Sequence, residues 1–222
     1  MDRIKIAPSI LAADFARLGD EVARIADHVE MVHIDVMDGH FVPDLSLGYP
    51  VIRSLRATTD LYFDVHLMTT NPDAYIDELV AAGGNLFSAH IEVFPDPRAV
   101  ARKVADAGLD FGLALNPQTP YAAVEPYVEL CSQVLVMSVE PGFGGQAFMP
   151  EVLPKVEAAR KQVEVLGLST DIQIDGGITP VTAPMAYEAG ANVLVAGSAI
   201  FRQEDPVAAV AALRAAVGDH GG

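Results

Sequence analysis

A single cysteine, Cys131, stands in the 222-residue chain. An internal disulfide is therefore impossible, and zinc sites built from cysteine thiolates are excluded. A reduced, cytoplasmic setting fits this usage. Positive charge is also scarce, with 14 Lys and Arg against 30 Asp and Glu, a formal net charge of −16. Binding along a phosphate backbone needs clustered Lys and Arg, so nucleic acid is not an expected partner. The shortage is uneven: no Lys or Arg lies between Lys103 and Lys155, or between Lys161 and Arg202. A phosphate held by those stretches must rest on backbone N–H groups and helix N-termini. Although 51% of residues are hydrophobic, no apolar run approaches the roughly 20 residues of a membrane span. The start, Met1-Asp-Arg-Ile-Lys-Ile, lacks the apolar stretch of a signal peptide. Neither a Walker A sequence nor a dinucleotide Gly-rich turn after the first strand is present.

What is present is a rhythm. Short apolar runs recur at Ile4–Ala7, Met31–Asp35, Leu61–His66, Asn85–His90, Asp110–Leu115, Val134–Ser138, Asp171–Asp175 and Asn192–Ala196. Helical signals lie between most of them. Asp14 is placed to cap a helix running to Ala26, with Phe15, Leu18, Val22 and Ile25 inward. Pro72 occupies a first-turn position before Tyr75, Ile76, Leu79 and Val80. Pro97, Pro150 and Pro206 mark three further starts. Strand then helix, eight times, implies a parallel sheet. At this length the expected solution is a closed (β/α)8 barrel, one catalytic domain over residues 1–222. An open doubly wound sheet is the alternative. The tail Gly218-Asp-His-Gly-Gly reads as frayed.

A barrel carries its active site at the C-terminal ends of its strands. Four metal-competent side chains fall there: His33 and Asp35, His66, and Asp175. Residues two apart on a strand share a face, so His33 and Asp35 point the same way and Val32, Ile34 and Val36 the other. Two neutral imidazoles and two carboxylates suit one divalent first-row ion. Two carboxylates also move protons, a combination that suits chemistry at a carbon beside a carbonyl. Asp64, two before His66, reads as a buried support rather than a fifth ligand. His90 and Glu92 repeat the spacing, His90 as support or substrate contact. Late loops supply glycine where backbone must approach an anion: Pro141-Gly-Phe-Gly-Gly-Gln, Gly176-Gly177 and Gly197-Ser198. Asp38 is placed to cap or brace the segment after the second strand. Cys131 reads as apolar filler, and His28 and His220 as exposed.

Ala7-Pro-Ser-Ile-Leu-Ala-Ala-Asp-Phe, His33-Ile-Asp-Val-Met-Asp-Gly-His-Phe-Val-Pro, Asp64-Val-His-Leu-Met, Leu115-Asn-Pro-Gln-Thr-Pro, Met137-Ser-Val-Glu-Pro-Gly-Phe-Gly-Gly-Gln, Asp175-Gly-Gly-Ile and Val195-Ala-Gly-Ser-Ala-Ile-Phe follow one another along nearly the whole chain. In this order they resemble the ribulose-phosphate 3-epimerase family. The resemblance implies a (β/α)8 barrel of ribulose-phosphate-binding type. It also implies interconversion of D-ribulose 5-phosphate and D-xylulose 5-phosphate through a 2,3-enediolate, in the pentose phosphate pathway. It implies that His33, Asp35, His66 and Asp175 hold one divalent ion (zinc, iron(II), manganese or cobalt), with Asp35 and Asp175 as the acid/base pair. Ser9 and His66 would meet the substrate near its hydroxyls. Met37, Met68 and Met137 would line the cavity. Gly142, Phe143, Gly144, Gly145, Gly176, Gly177, Gly197 and Ser198 would hold the phosphate. A homo-oligomer, from dimer to hexamer, is implied as well.

The chain departs from the family pattern at Asp44, where Asn is usual. The segment His90-Ile-Glu-Val-Phe-Pro-Asp-Pro-Arg also lacks the His-Leu pair common before that helix. These changes bear on substrate size and keep a hexulose 6-phosphate, such as D-allulose 6-phosphate, as the alternative. Two other classes compete. A phosphate-binding barrel decarboxylase normally needs a lysine near the carboxylate, and Lys5 is the only Lys before Lys103. A non-catalytic phosphosugar-binding barrel predicts binding without proton exchange.

Overall fold

The computed structural model describes residues 4–218. Eight strands form one parallel sheet: β1 (Lys5–Pro8), β2 (Met31–Met37), β3 (Tyr62–Met68), β4 (Leu86–His90), β5 (Asp110–Leu115), β6 (Gln133–Met137), β7 (Asp171–Asp175) and β8 (Val193–Ala196). Their order is β1-β8-β7-β6-β5-β4-β3-β2, so each strand lies beside its sequence neighbour. A parallel bridge between Ser9 and His33 joins the two ends of that order and closes the barrel. The open doubly wound alternative is thereby excluded. The strands read as apolar runs because parallel sheets of this class are covered on both faces. Val32, Ile34 and Val36 pack into the large core between sheet and helices. Ala7, Met31, Val193 and Val195, on the opposite face of their strands, form a separate and smaller apolar cluster.

The helices start where the sequence signals them, with differences of kind. Asp14 does cap, accepting from the Ala16 N–H, but the capped turn is a 3-10 turn (Phe15–Arg17). It leads into α1 (Leu18–Ala23), and a further 3-10 turn covers Ala26–His28. Then follow α2 (Tyr49–Arg56), α3 (Ile76–Ala82), α4 (Arg98–Asp106), α5 (Leu153–Leu166), α6 (Ala183–Glu188), α7 (Ser198–Phe201) and α8 (Pro206–Ala216). Pro72 and Pro150 open 3-10 turns that run into α3 and α5, Pro97 immediately precedes α4 without a side-chain cap, and Pro206 opens α8. The expected helix between β5 and β6 is instead two 3-10 turns, Tyr121–Ala123 and Glu125–Leu130. Pro126 lies inside this short connection, where it removes a donor and restricts the residue before it. His28 is exposed and Cys131 is buried, as expected. Residues 219–222, with His220 and most of the tail, lie outside the described residues.

A buried polar layer crosses the barrel interior. The Gln133 amide donates to Asp64 (3.3 Å), Ser88 (3.4 Å) and Gln173 (2.8 Å). The Gln173 amide donates to Asp64 at 2.6 Å. Asp64, Ser88 and Gln173 have no solvent exposure. Buried polar groups at this density stay affordable only when mutually hydrogen-bonded. Gly112 makes the room: a Cβ there would sit 2.2 Å from the Ser88 hydroxyl.

Candidate active site

The quartet stands directly above this polar layer. One ligand atom each from His33, Asp35, His66 and Asp175 can be chosen so that all lie within 4.8 Å of one another. β2 supplies two of them, β3 and β7 one each. Register explains how β2 and β3 meet, since Asp35 pairs with His66 and His33 with Asp64. His33 Nε2 lies 3.3 Å from Asp35 Oδ1 and 3.9 Å from Asp175 Oδ2. His66 Nδ1 lies 3.2 Å from Asp35 Oδ1. The other Asp35 oxygen accepts from the Ser9 hydroxyl at 2.6 Å.

Each imidazole is braced from behind. His33 Nδ1 is 2.7 Å from Asp64 Oδ2, so Asp64 is a support beneath the quartet and not a member of it. His66 Nε2 is 2.8 Å from His90 Nε2, and His90 Nδ1 is 3.3 Å from Glu92. His33 Nε2 is fully buried and has no hydrogen-bond partner. When the ring is neutral with its hydrogen on Nδ1, this nitrogen would direct its lone pair between the two carboxylates, where a cation can be held. The donor set is two nitrogens and two oxygens, matching borderline divalent ions such as zinc, iron(II), manganese and cobalt. The residues present therefore fit a bound divalent cation.

The electrostatics separate the two carboxyls. Burial pushes Asp35 upward, but the adjoining His33 and His66 overcome it and hold Asp35 far below the usual carboxylate range. Burial and the neighbouring Asp35 charge push Asp175 up to about 7, with His33 opposing. Burial works against charge on His33, yet Asp64 and Asp35 raise it well above an ordinary histidine. Burial keeps His66 and His90 below the ordinary value, His90 at about 4. Two carboxyls in one pocket thus differ in protonation, an arrangement suited to one acid and one base.

A cavity of about 380 Å³ opens above the quartet. Ser9, Asp35, Met37, Met68, Met137 and Asp175 line its floor, and Gly142–Gly145, Gly176, Gly177, Gly197 and Ser198 its far side. His33 and His66 lie beneath that lining. Among the described residues no Lys or Arg lines the cavity, and its charged groups are Asp35, Asp175 and Glu140. Gly177 has φ +64, and a Cβ there would come within 2.5 Å of the Phe148 nitrogen. Only glycine fits such a backbone position without strain. The loop after β2 closes over one edge, where Val42 joins Met37 and Met68 in an apolar cluster. Asp38 braces that loop, accepting from the His40 and Phe41 N–H groups and from Thr70.

Sequence reasoning did not single out Gln133, Gln173 and Ser138. Ser138 donates to the Asp175 and Gly176 carbonyls and so anchors the end of β7. Gln173 carried a signal, because it precedes Asp175 by two residues as Asp64 precedes His66.

Comparison with known proteins assigns a family. The model of the ribulose-phosphate 3 epimerase family matches residues 5–201. The chain is 50% identical over 216 residues to a ribulose-phosphate 3-epimerase of Mycobacterium bovis, covering 96% of this chain and 93% of that protein. It is 43% identical over 213 residues to one of Bacillus subtilis, covering 95% and 98%. Among solved structures, a 3-hexulose-6-phosphate synthase superposes with a TM-score of 0.72 at 22% identity, covering 96% of this chain and 100% of that one. Orotidine 5'-phosphate decarboxylase from Pyrococcus horikoshii OT3 gives 0.69 at 16%, covering 96% and 99%. These two likenesses speak to the barrel alone. Family model and relatives match over the same span that carries the quartet, and the chain belongs to the ribulose-phosphate 3-epimerase family.

Proposed function

We propose that this chain inverts C3 between D-ribulose 5-phosphate and D-xylulose 5-phosphate, with Asp35 and Asp175 exchanging the proton on opposite faces of that carbon. The observation that carries the reading is the convergence of His33, Asp35, His66 and Asp175 on the floor of the cavity. Inversion beside a ketone requires removing the C3 proton and returning one from the other side. The charged carboxylate takes it and the neutral carboxylic acid delivers one. In the metal-free site His33 and His66 hold Asp35 toward the charged form, whereas burial and the Asp35 charge favour the neutral form of Asp175. For the reverse substrate the two exchange roles. Ser9 donates to Asp35 and holds its second oxygen toward the cavity floor.

His33, Asp35, His66 and Asp175 would hold one divalent ion; when bound it supplies a Lewis acid for the negative charge that develops on the substrate oxygens. Zinc, iron(II), manganese and cobalt all accept this donor set, and the affinity order favours zinc over manganese. Met37, Met68 and Met137 present apolar, polarisable surface beside the reacting carbons. The phosphate reading rests on the loops after β6, β7 and β8 together with the short α7, a recurrent anion site of such barrels. With no Lys or Arg among the described residues that line the cavity, main-chain N–H groups would carry that task. A homo-oligomer in the cytoplasm completes the reading. It draws support from the family pattern and from half-exposed apolar side chains such as Phe15 (49%); a monomer by sedimentation velocity would remove that element.

Incubation with D-ribulose 5-phosphate in D2O tests the chemistry. Deuterium is expected at C3 of the xylulose 5-phosphate formed, with turnover lost on chelation and regained on adding a divalent ion. Product without deuterium at C3 would refute the two-carboxylate route. A higher kcat/KM on D-allulose 6-phosphate would transfer the same chemistry to the hexulose substrate.

A further inference from the structure

His90 and Glu92 stand outside the quartet, yet a hydrogen-bonded line through them ends on it. His66 Nε2 meets His90 Nε2 at 2.8 Å, and His90 Nδ1 meets Glu92 Oε2 at 3.3 Å. The His66 and His90 ring centroids are 5.0 Å apart, a separation that lets the two rings meet edge to edge through these nitrogens. Glu92 Oε1 accepts from the Asn116 N–H at 2.8 Å and from the Thr119 hydroxyl. A backbone N–H only donates, so Glu92 Oε1 is an acceptor. Burial works against charge on Glu92, but these hydrogen bonds favour the ionised carboxylate, and its Oε2 can then only accept from His90. His90 must then carry its hydrogen on Nδ1. Its Nε2 is left as an acceptor, because a neutral imidazole has one of each. His90 is fully buried with the Phe41 ring 4.6 Å away, a setting that disfavours a second proton and its charge. Only one hydrogen fits between the two facing nitrogens, and it belongs to His66 Nε2. The lone pair of His66 is thereby confined to Nδ1, the nitrogen facing Asp35 and the centre of the quartet.

We propose that Glu92 and His90 are positioning residues that select the His66 tautomer able to bind the cation. With the cation bound, His33 would reach the same end by the opposite tautomer: its Nδ1–H donates to Asp64, which leaves Nε2 for the cation. The two imidazoles thus enter the quartet through different ring nitrogens, each set by its own carboxylate, one directly and one across a second histidine. Glu92 is itself held by the loop after β5, so Asn116 and Thr119 belong to the same line. The inference rests on the reading that the quartet binds a divalent ion.

The test combines tautomer spectroscopy with metal affinity. Long-range 1H–15N spectra of 15N-histidine-labelled, zinc-loaded protein should show hydrogen on Nε2 of His66 and on Nδ1 of His90. Competition with a chromogenic chelator should show zinc held about 10–100-fold more weakly by Glu92→Gln, whose amide can donate to His90 and reverse the line. Thr119→Val should weaken it less, in the same direction, with the thermal unfolding of the metal-free protein unchanged. Hydrogen on Nδ1 of zinc-loaded His66, or zinc affinity in Glu92→Gln within about twofold of wild type, would overturn the proposal. Should Glu92→Gln fail to fold, the wild-type spectrum and Thr119→Val decide. Wild-type protein that takes up no zinc, manganese, cobalt or iron(II) would sink the metal reading together with this one. Uptake with the opposite tautomer would sink this one alone.

Discussion

At the floor of the cavity Asp35 and Asp175 are side chains rooted in strands, with Ser9 just past the end of β1; at its far side the groups proposed to meet an anion are main-chain N–H groups of the glycine segments. The floor is crowded and cross-braced: Asp35 is held by Ser9, His33 by Asp64, and Asp64 by Gln133 and Gln173. The far side is open only in part: a Cβ added at Gly144 or Gly145 would meet nothing within 4 Å, whereas one at Gly177 would clash with the Phe148 backbone. The difference follows from the tasks. Proton transfer and cation binding need atoms placed within a fraction of an ångström, which strands with a buried supporting layer provide. Holding a phosphate needs many modest donors and close backbone approach, which glycine loops provide. Substitutions at the floor should therefore act on turnover and metal affinity, and substitutions at the far side on substrate affinity.

The largest expected effect breaks the floor directly. Asp35→Asn and Asp175→Asn should each lower kcat by about 10²–10⁴, the usual contribution of a general acid or base, while KM stays near wild type. Steady-state kinetics with ribulose 5-phosphate checks this, and a near-native kcat in either variant removes that residue from the pair. Next comes the layer beneath. Asp64→Asn should weaken divalent-ion binding by about 10–100-fold through His33, read by chelator competition, with kcat at saturating metal less affected; unchanged affinity would make Asp64 merely a core group. At the far side, Gly177→Ala should raise KM for the phosphorylated ketose on the order of tenfold, about 1.4 kcal/mol of binding, and change kcat less. A dominant loss of kcat there would erase the proposed division of labour.

Two smaller effects sharpen the contrast. In metal-free protein Asp175 is raised from 3.8 to about 7. The native state then binds more protons than the unfolded chain between those values, so stability contributed by neutral Asp175 is full below pH 3.8 and lost as pH rises through about 7. His33, raised well above its ordinary value, acts in the same sense at higher pH. Urea melts in a chelator should show this decline, flattened in Asp175→Asn; equal slopes would place the titration elsewhere. The smallest effect concerns the floor's apolar rim. Met137→Leu should change kcat only modestly and Met137→Gln more, because an amide adds hydrogen bonds beside the reacting centre; equal losses would leave Met137 as packing alone.

Several parts of this arrangement were legible before any coordinates. The i, i+2 spacing of His33 and Asp35 placed both on one face of a strand, and the barrel rule placed that face at the mouth. Pro97 and Pro206 marked helix starts because a missing N–H and a preset φ cost nothing there. The strand-helix alternation implied a helix between β5 and β6 as well, but that connection holds only the 3-10 turns Tyr121–Ala123 and Glu125–Leu130. The buried layer was legible only in part. Asp64 stood out as a carboxylate in an apolar strand, whereas Gln133 and Gln173 gave no signal of meeting each other, being 40 residues apart in sequence.

By itself the sequence determined the alternation of strands and helices, the acidic and cation-poor character of the late loops, and the chemical inventory of the site. These are local properties, set by side-chain period, turn chemistry and composition. Only the tertiary structure decided that β2, β3 and β7 bring four side chains within one cation's reach. It also decided which imidazole nitrogen faces them, and that His90 and Glu92 stand behind His66. Those facts depend on closure and register of a sheet, where a shift of one residue turns every side chain to the opposite face.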